Sequence, residues 1–277
     1  MRCGRRDLGW TIVAGYEGSA SSEDALALAR GVLHATGGRL VVGCVYECQP
    51  LGGRFASGEL AAAVARRGCR AVRTGRAEST AVPGVSPAEG LCSLAAVAHA
   101  DVVVVGSARR ALGGRLLRGS TADGMLRRGV CPVAIAPAGY RGHHHRFQTV
   151  GVIFDGTLPS RAAVRTAAAI ALAEGGVVRI YATTGALQGD DVQEVLAPLL
   201  GGARLQAATP VRAVTADSGK ILDLVIASFS GRFRLPGFGR RHGGRWIRPC
   251  RCPVLVLPES QTVAGERALA SYREEAT

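Results

Sequence analysis

The sequence predicts an α/β protein made of two tandem domains, each an open, mostly parallel sheet with helices on both faces. Three observations predict this fold class. The chain has 277 residues, enough for roughly two domains that bury their own cores. Hydrophobic residues make up 47% and aromatic residues only 5%, which favours buried parallel strands under helices of small residues. The same order of apolar runs, helical patterns and glycine pairs also occurs twice along the chain.

The repeat is clearest at the start of each half. Residues 11–47 read TIVAGYEGSASSEDALALARGVLHATGGRLVVGCVYE, and residues 149–185 read TVGVIFDGTLPSRAAVRTAAAIALAEGGVVRIYATTG. Both segments have a short apolar run, an acid-Gly-hydroxyl triplet, a helical pattern, a Gly-Gly pair and a second apolar run. This order is typical of a β-α-β unit.

The ends of the two predicted helices carry their own signals. In the first unit we expect Ser21 or Ser22 to cap the helix, and Gly37-Gly38 to end it. In the second unit Ser160 is the expected cap, and Gly175-Gly176 is the expected end.

The last strands of the two halves also match. DVVVVGS (residues 101–107) leads to CPVAIAP (131–137), and DLVIASF (223–229) leads to CPVLVLP (252–258). The paired runs begin 30 residues apart in the first half and 29 in the second. We therefore interpret the chain as a tandem duplication.

The segments between these matches differ. The first half fits a helix over 57–68, a strand over 69–74 and a further helix over 87–100, PAEGLCSLAAVAHA. The second half offers a strand around 210–215 and little room for an equivalent of that last helix. We expect its sheet to be covered less completely on one face.

These patterns divide the chain into four parts. We expect a first domain over residues 1–139, a linker over 140–147, a second domain over 148–260 and a C-terminal tail over 261–277.

The bulk chemistry restricts the class of protein. The net charge of +13 arises from 33 arginines and one lysine against 21 acids, and both halves are basic. No apolar run approaches the ~20 residues of a membrane span, and no secretory leader accompanies the eight cysteines. We expect a cytoplasmic protein with reduced thiols and no membrane contact.

The candidate ligand site lies after the apolar run 102–105. Residues 106–121, GSARRALGGRLLRGST, combine small residues with four arginines where a strand gives way to a helix. Ligands of open parallel sheets bind at this end of the strands, near helix N-termini. We expect Ser120 and Thr121 to cap the next helix and offer hydroxyls to a phosphate. Glu17, at the end of the first strand, would accept hydrogen bonds from a ribose or an adenine amino group.

At these residues the sequence resembles the universal stress protein family, over nearly the whole chain. The family signature reads Gly, two residues, Gly, nine residues, Gly, then Ser or Thr, and many members end in a Cys-Pro-Val strand. The resemblance implies Rossmann-like domains, of the adenine nucleotide alpha hydrolase-like type, that bind ATP in some members. By position, Gly106, Gly119 and Ser120 match the signature, Glu17 stands where the family usually has Asp, and Val45 would border the adenine.

The chain departs from this signature in both halves. Arg109 stands at the second glycine, where its side chain either narrows the pocket or replaces an N–H contact by a guanidinium. The second half keeps Asp155 with its following glycine and hydroxyl, but Ser228 replaces the first glycine. Its Gly-Ser position falls at Arg240-Arg241 or Arg241-His242, so we expect its site to be lost.

The sequence therefore predicts ATP or adenine nucleotide binding by the first domain, with a regulatory role in the stress response. The residues assigned to the nucleotide are Glu17, Gly18, Ser19, Val45, Gly106, Arg109, Gly119, Ser120 and Thr121. No Walker loop, Gly-x-Ser-x-Gly elbow or catalytic Cys/His pairing is present, so we expect no enzyme beyond slow incidental ATP hydrolysis. The family further implies an intramolecular pseudo-dimer of the two domains through their last strands, and a homodimer is a further assembly to consider.

One other interpretation of function uses the basic second half. Residues 228–252 contain seven arginines and no acid, interleaved with aromatics, which is a pattern of nucleic-acid binders. We favour a solvated or partner-facing loop for this segment over a nucleic-acid interface. The alternative function is a protein without nucleotide whose Arg240, Arg241 and Arg245 bind an acidic partner or nucleic acid. Cys250-x-Cys252 and His143–145 are single clusters far apart, so we expect no metal site.

Overall fold

The computed structural model describes residues 8–47, 58–72, 74–108, 119–142, 146–183, 191–229 and 250–258. Within these residues the first half alternates strands and helices. In chain order they are β1 (Thr11–Gly15), α1 (Ala20–Thr36), β2 (Arg39–Glu47), α2 (Gly58–Val72), β3 (Ala77–Gly84), α3 (Pro87–Ala98), β4 (Val102–Gly106), α4 (Ser120–Arg128) and β5 (Val133–Ala136).

The second half repeats this plan with a shorter middle segment. Its elements are β6 (Thr149–Phe154), α5 (Leu158–Glu174), β7 (Val177–Ala182), α6 (Asp191–Leu200), β8 (Arg204–Pro210), α7 (Val214–Asp217), β9 (Leu224–Phe229) and β10 (Val254–Pro258). The four-residue α7 stands where the first half has the twelve-residue α3, as the short sequence between β8 and β9 predicts.

In the described part of the chain, ten strands form one sheet in the order β3-β2-β1-β4-β5-β10-β9-β6-β7-β8. Each half is parallel throughout, and the halves join where β10 pairs antiparallel with β5. The α/β fold class with parallel, helix-covered sheets is confirmed, and the two expected sheets are continuous with each other. Two extensive apolar clusters lie on its two faces and include residues from both halves.

The similarity between the two halves extends to individual contacts. Asp101 accepts a hydrogen bond from the main-chain N–H of Thr11, and Asp223 accepts one from Thr149, each at 2.8 Å. These carboxylates tie the start of the fourth strand of each half to the start of its first. They explain why an aspartate precedes the apolar run in both copies.

The predicted helix caps were wrong by two or three residues. Ser19, not Ser21 or Ser22, caps α1 and accepts a hydrogen bond from the N–H of Ser22. Thr157, not Ser160, caps α5. The reason is that Gly18 and Gly156, with φ of +81° and +82°, turn the chain into the helix at once. The predicted ends were right, since Gly37 and Gly175 are the C-caps.

The middle of the first half also differs from prediction. Helix α2 runs to Val72, because its buried residues Ala61, Ala65, Gly68 and Val72 continue the helical spacing through the segment expected to be a strand. The strand follows later, at Ala77–Gly84.

The second half differs at the corresponding strand, which lies at Arg204–Pro210 rather than around 210–215. Gly201 and Gly202, both with positive φ, reverse the chain before it. The residues after Pro210 form a short 3-10 turn and α7 instead.

Within the described ranges, no helix combines the length and apolarity that a membrane crossing requires. The described cysteines, Cys44, Cys69, Cys92, Cys131, Cys250 and Cys252, are free thiols. Burial raises the pKa of Cys131 and Cys250 to about 12, so both stay protonated at neutral pH. No cluster of three or more His, Cys, Asp or Glu suited to a metal occurs in the described part of the chain, and His143–145 lie outside it.

Candidate functional site

A cleft with a volume of about 370 Å³ lies at the carboxyl ends of β1, β2 and β4. Strand β1 is the point where the order of the sheet reverses, because β2 lies on one side of it and β4 on the other. Connections leave in opposite directions from such a point and open a crevice there. The volume falls within the range of small-molecule sites, about 300–1,000 Å³.

Six of the nine predicted nucleotide-binding residues line this cleft: Glu17, Val45, Gly106, Gly119, Ser120 and Thr121. Gly18 and Ser19 form the adjoining turn into α1. Arg109 lies outside the described residues, as do the loop arginines up to Arg118 and the arginines at 240, 241 and 245.

Among the described residues, three helices begin at the cleft. Side chains cap two of them: in α1, Ser19 accepts a hydrogen bond from the N–H of Ser22, and in α3, Ser86 accepts one from the N–H of Glu89, both at 3.2 Å. Helix α4 is different, because its N-cap is Gly119 and no side chain of the described residues caps it. The first N–H groups of a helix need a partner, so α4 presents a place for an anion.

Ser120 and Thr121 were expected to cap α4, and this prediction was wrong. They are the first two residues of the helix itself, because Gly119 already has the extended cap conformation with φ −88° and ψ 172°. Their hydroxyls are nevertheless at the cleft, where both residues contribute to its wall.

The floor of the cleft depends on glycines within the strands. A Cβ on Gly15 would lie 2.9 Å from Leu91 Cδ1, and one on Gly43 would lie 2.5 Å from Leu94 Cδ2. Both distances are too short for carbon atoms in contact. The two glycines therefore allow α3 to lie close to the sheet and bring Leu91 into the wall of the cleft.

Val45 packs against α3 and lines the cleft. Its Cγ1 would lie 2.5 Å from a Cβ on Gly90, so the helix packs directly on its side chain. Gly43, two residues earlier, accepts a hydrogen bond from the N–H of Tyr16 through its carbonyl oxygen. Main-chain groups of alternate strand residues face the same way. Those of Val45, which lines the cleft, therefore lie on the side of β2 where β1 ends.

Glu17 lies at the mouth of the cleft. Its side chain is exposed, and its Oε1 accepts a hydrogen bond from the hydroxyl of Ser19 at 3.0 Å. In the second half, Asp155 accepts bonds from the N–H and the hydroxyl of Thr157 in the same turn. The acid-Gly-hydroxyl triplet thus forms the same local turn in both halves, with the acid oriented by the hydroxyl two residues later.

Tyr16 closes the cleft toward α2. Its hydroxyl donates to Glu23 Oε1, and its ring packs where Gly68 of α2 has no side chain. Burial, together with the hydrogen bond to Glu23 and its charge, raises the pKa of Tyr16 to about 12. The phenol is therefore neutral at physiological pH.

Gly106 has a packing role that the sequence did not reveal. A Cβ at this position would overlap the main-chain carbonyl and the hydroxyl of Ser21 in α1. The first glycine of the signature thus lets the start of α1 approach the end of β4.

Ten lining residues were missed by the sequence interpretation: Gly15, Tyr16, Ser21, Ser22, Gly43, Pro87, Leu91, Val105, Ser107 and Ala108. The glycines carried a usable signal, because a glycine within an apolar strand indicates close approach of another group. The contact of Ser21 with Ser107 joins residues 86 positions apart and had no such signal.

Comparisons with known proteins agree with this architecture. The model of the Universal stress protein family matches residues 11–137. The chain is 33% identical over 137 residues to the "Universal stress protein in QAH/OAS sulfhydrylase 3′region" of Thermus aquaticus, which covers 45% of this chain and 96% of that protein.

Two solved structures share the fold along almost the whole chain. A universal stress protein from Archaeoglobus fulgidus DSM 4304 has a TM-score of 0.67 and 16% identity, covering 91% of this chain and 97% of its own. A putative universal stress protein from Pseudomonas aeruginosa UCBPP-PA14 has a TM-score of 0.61 and 12% identity, and the match covers 95% of this chain and 99% of that chain. Together with the family match and the Thermus aquaticus relative, these findings lead to one conclusion: the chain belongs to the universal stress protein family.

Proposed function

We propose that the first half binds an adenine nucleotide, ATP by preference, and that this binding serves regulation in the stress response rather than catalysis. The observation that carries the proposal is the cleft at the reversal of strand order. It gathers six residues that the sequence assigned to a nucleotide, and it includes the N-terminus of α4, which no side chain of the described residues caps.

The base would lie beside Val45. A main-chain N–H and C=O that face a cleft can pair with the acceptor and donor edge of adenine, and guanine presents the opposite pattern there. Leu91 and Val105 supply apolar walls for a planar ring. This geometry supports an adenine nucleotide over a guanine nucleotide.

The sugar and phosphates would extend from Glu17 toward α4. The exposed Glu17 carboxylate would accept hydrogen bonds from ribose hydroxyls. Gly119, Ser120 and Thr121 would meet the phosphates with main-chain N–H groups and two hydroxyls, reinforced by the positive end of the helix dipole. Arg109 belongs to the signature segment (residues 106–121) but lies outside the described residues, and it would either add positive charge for the phosphates or block entry to the pocket.

The second half would serve the assembly rather than the nucleotide. The antiparallel pairing of β10 with β5 supports an intramolecular pseudo-dimer of two domains, with boundaries near residues 139 and 148. Ser228 occupies the place of Gly106, since Val102 pairs with Ile12 and Leu224 with Val150 in the same register.

The direct test is calorimetric titration of the nucleotide-stripped, full-length protein with ATP and with GTP. We expect a stoichiometry near one for ATP, weaker or no binding of GTP, and loss of ATP binding in Gly119→Arg. Gly119→Ala is the matched control, because a Cβ at this position would lie 3.6 Å from the nearest atom, in ordinary contact.

Absence of both heat and thermal stabilisation by ATP in the wild-type protein would overturn the proposal. It would favour the alternative, a protein whose basic loops bind an acidic partner or nucleic acid. Such binding should weaken steeply with salt and be lost when Arg240, Arg241 and Arg245 are replaced by Ser.

A further inference from the structure

The first turn of α1 is bonded to the end of β4, where the signature segment begins. The hydroxyl of Ser21 donates a hydrogen bond to the main-chain carbonyl of Ser107. Ser107 itself donates to the carbonyl of Ala136 in β5, through its N–H at 3.0 Å and its hydroxyl at 2.8 Å. Ser107 is 4% exposed, so α1 and β5 hold it from two sides in the interior.

This contact exists only because residue 106 is glycine. A Cβ there would overlap the carbonyl and the hydroxyl of Ser21, and the clash with main chain cannot be relieved by rotating a side chain. Gly106 and Ser21 therefore act as a pair: the glycine admits the turn of the helix, and the serine then bonds to the next residue of the strand.

The bond also bears on the start of α4. A Cβ on Gly119 would lie 3.6 Å from Ala108 Cα, so the two described ends of the signature segment are in contact. Ala108 follows Ser107 directly. The position of Ser107 thus sets that of Ala108, and Ala108 packs beside the N-cap of α4.

We infer that Ser21 is a positioning residue for phosphate binding, acting through Ser107 on the N-terminus of α4. The inference rests on the proposed function and adds a residue from outside the family signature. It assigns Gly106 an indirect role, since the glycine seats Ser21 rather than opening space for a phosphate.

The second half provides an internal comparison. Thr157 and Ser19 are equivalent N-caps, so the residue that corresponds to Ser21 is Pro159, which has no hydroxyl. The residue that corresponds to Gly106 is Ser228, which carries a Cβ. Both members of the pair are therefore replaced in the half whose signature is incomplete, as expected if they work together.

The test compares ATP with adenosine in titrations of wild-type protein, Ser21→Ala and Ser21→Thr. Loss of one hydrogen bond of ordinary strength should weaken ATP binding about three- to tenfold in Ser21→Ala. Adenosine binding should change less than about twofold, because it has no phosphate to place. Ser21→Thr keeps the hydroxyl and should restore ATP affinity.

Ser21→Cys keeps the size of the side chain but has a weaker donor, and it should show the same selective loss of ATP affinity. It also keeps the test decisive if Ser21→Ala folds poorly, which a thermal unfolding midpoint would reveal. Equal weakening of ATP and adenosine, or unchanged ATP affinity in both variants, would overturn the inference and leave the proposed function standing. A wild-type protein that binds neither ligand would overturn the proposed function and the inference with it.

Discussion

Replacing Gly119 by Asp should raise the stability of the folded protein and at the same time weaken its binding of ATP. Gly119 has φ −88° and ψ 172°, a conformation that any residue adopts, and a Cβ there would make only ordinary contacts with Ala108. Asp is a preferred N-cap and is worth a few tenths of a kcal/mol over Gly, and its charge at the positive end of the helix adds roughly 0.3–1 kcal/mol. The sum of about 1 kcal/mol corresponds to a rise of about 2–4 °C in the midpoint of thermal unfolding.

The same carboxylate would oppose the nucleotide. It would accept hydrogen bonds from the N–H groups that the phosphates need. It would also place a negative charge beside the phosphates. Two like charges about 4 Å apart repel by about 4 kcal/mol at an effective dielectric constant near 20. Even a third of that energy would reduce the affinity for ATP about tenfold, so we expect a loss between about tenfold and several hundredfold.

Two measurements on Gly119→Asp and Gly119→Ala separate these effects. Scanning calorimetry without nucleotide should show a higher unfolding midpoint for the Asp variant than for the wild-type protein. The Ala variant should show no such rise, because Ala offers no cap. Titration with ATP should show a large loss for Asp and a small one for Ala. An Asp variant that is more stable yet binds ATP like the wild-type protein would refute the placement of phosphate at α4.

Two further predictions concern the scaffold. Gly38→Ala should cost at least about 1 kcal/mol more than Gly9→Ala in urea unfolding, because both have left-handed φ but only Gly38 would drive a Cβ into the carbonyl of Trp10; equal costs would contradict the close approach. Burial raises the pKa of Asp223 above its ordinary 3.8, so the folded state holds this proton more tightly than the unfolded chain. The contribution of Asp223 to stability is complete below the pKa that it has in the unfolded chain, and it is lost as pH rises through the pKa that it has in the folded protein. Asp223→Asn should therefore flatten this part of the profile of unfolding free energy against pH. An unchanged profile would count against burial of the charge.

The gathering of Glu17, Val45 and Gly119 at one cleft could be predicted from the sequence for a simple reason. Carboxyl ends of parallel strands share one edge of a sheet, so residues that follow different strands meet whatever the length of chain between them. No similar rule connects Ser21 with Ser107. That contact depends on how far the first turn of α1 approaches β4, which only the packed structure determines.

The predicted boundaries of helices and strands were wrong where several neighbouring residues carried the same sequence signal. Ser19, Ser21 and Ser22 are all good caps, and the choice among them depends on the turn at Gly18 rather than on cap preference. Strand β3 has the sequence AESTAVPG, with Pro and Gly near its end and no alternation of buried and exposed residues. It is a strand because β2 presents a free edge for pairing, and the sequence of β3 alone does not indicate this.

The comparison of the halves separates the residues that build the sheet from those that build the cleft. Asp101 and Asp223 make the same bond to the first strand at the same distance, so this tether recurs in both halves. Ser21 and Gly106 have no such counterparts. A half that keeps the tether still extends a parallel sheet, and β10 then pairs with β5, which would otherwise be an open edge. The second half can therefore support the first half by completing its sheet, whether or not it binds a nucleotide of its own.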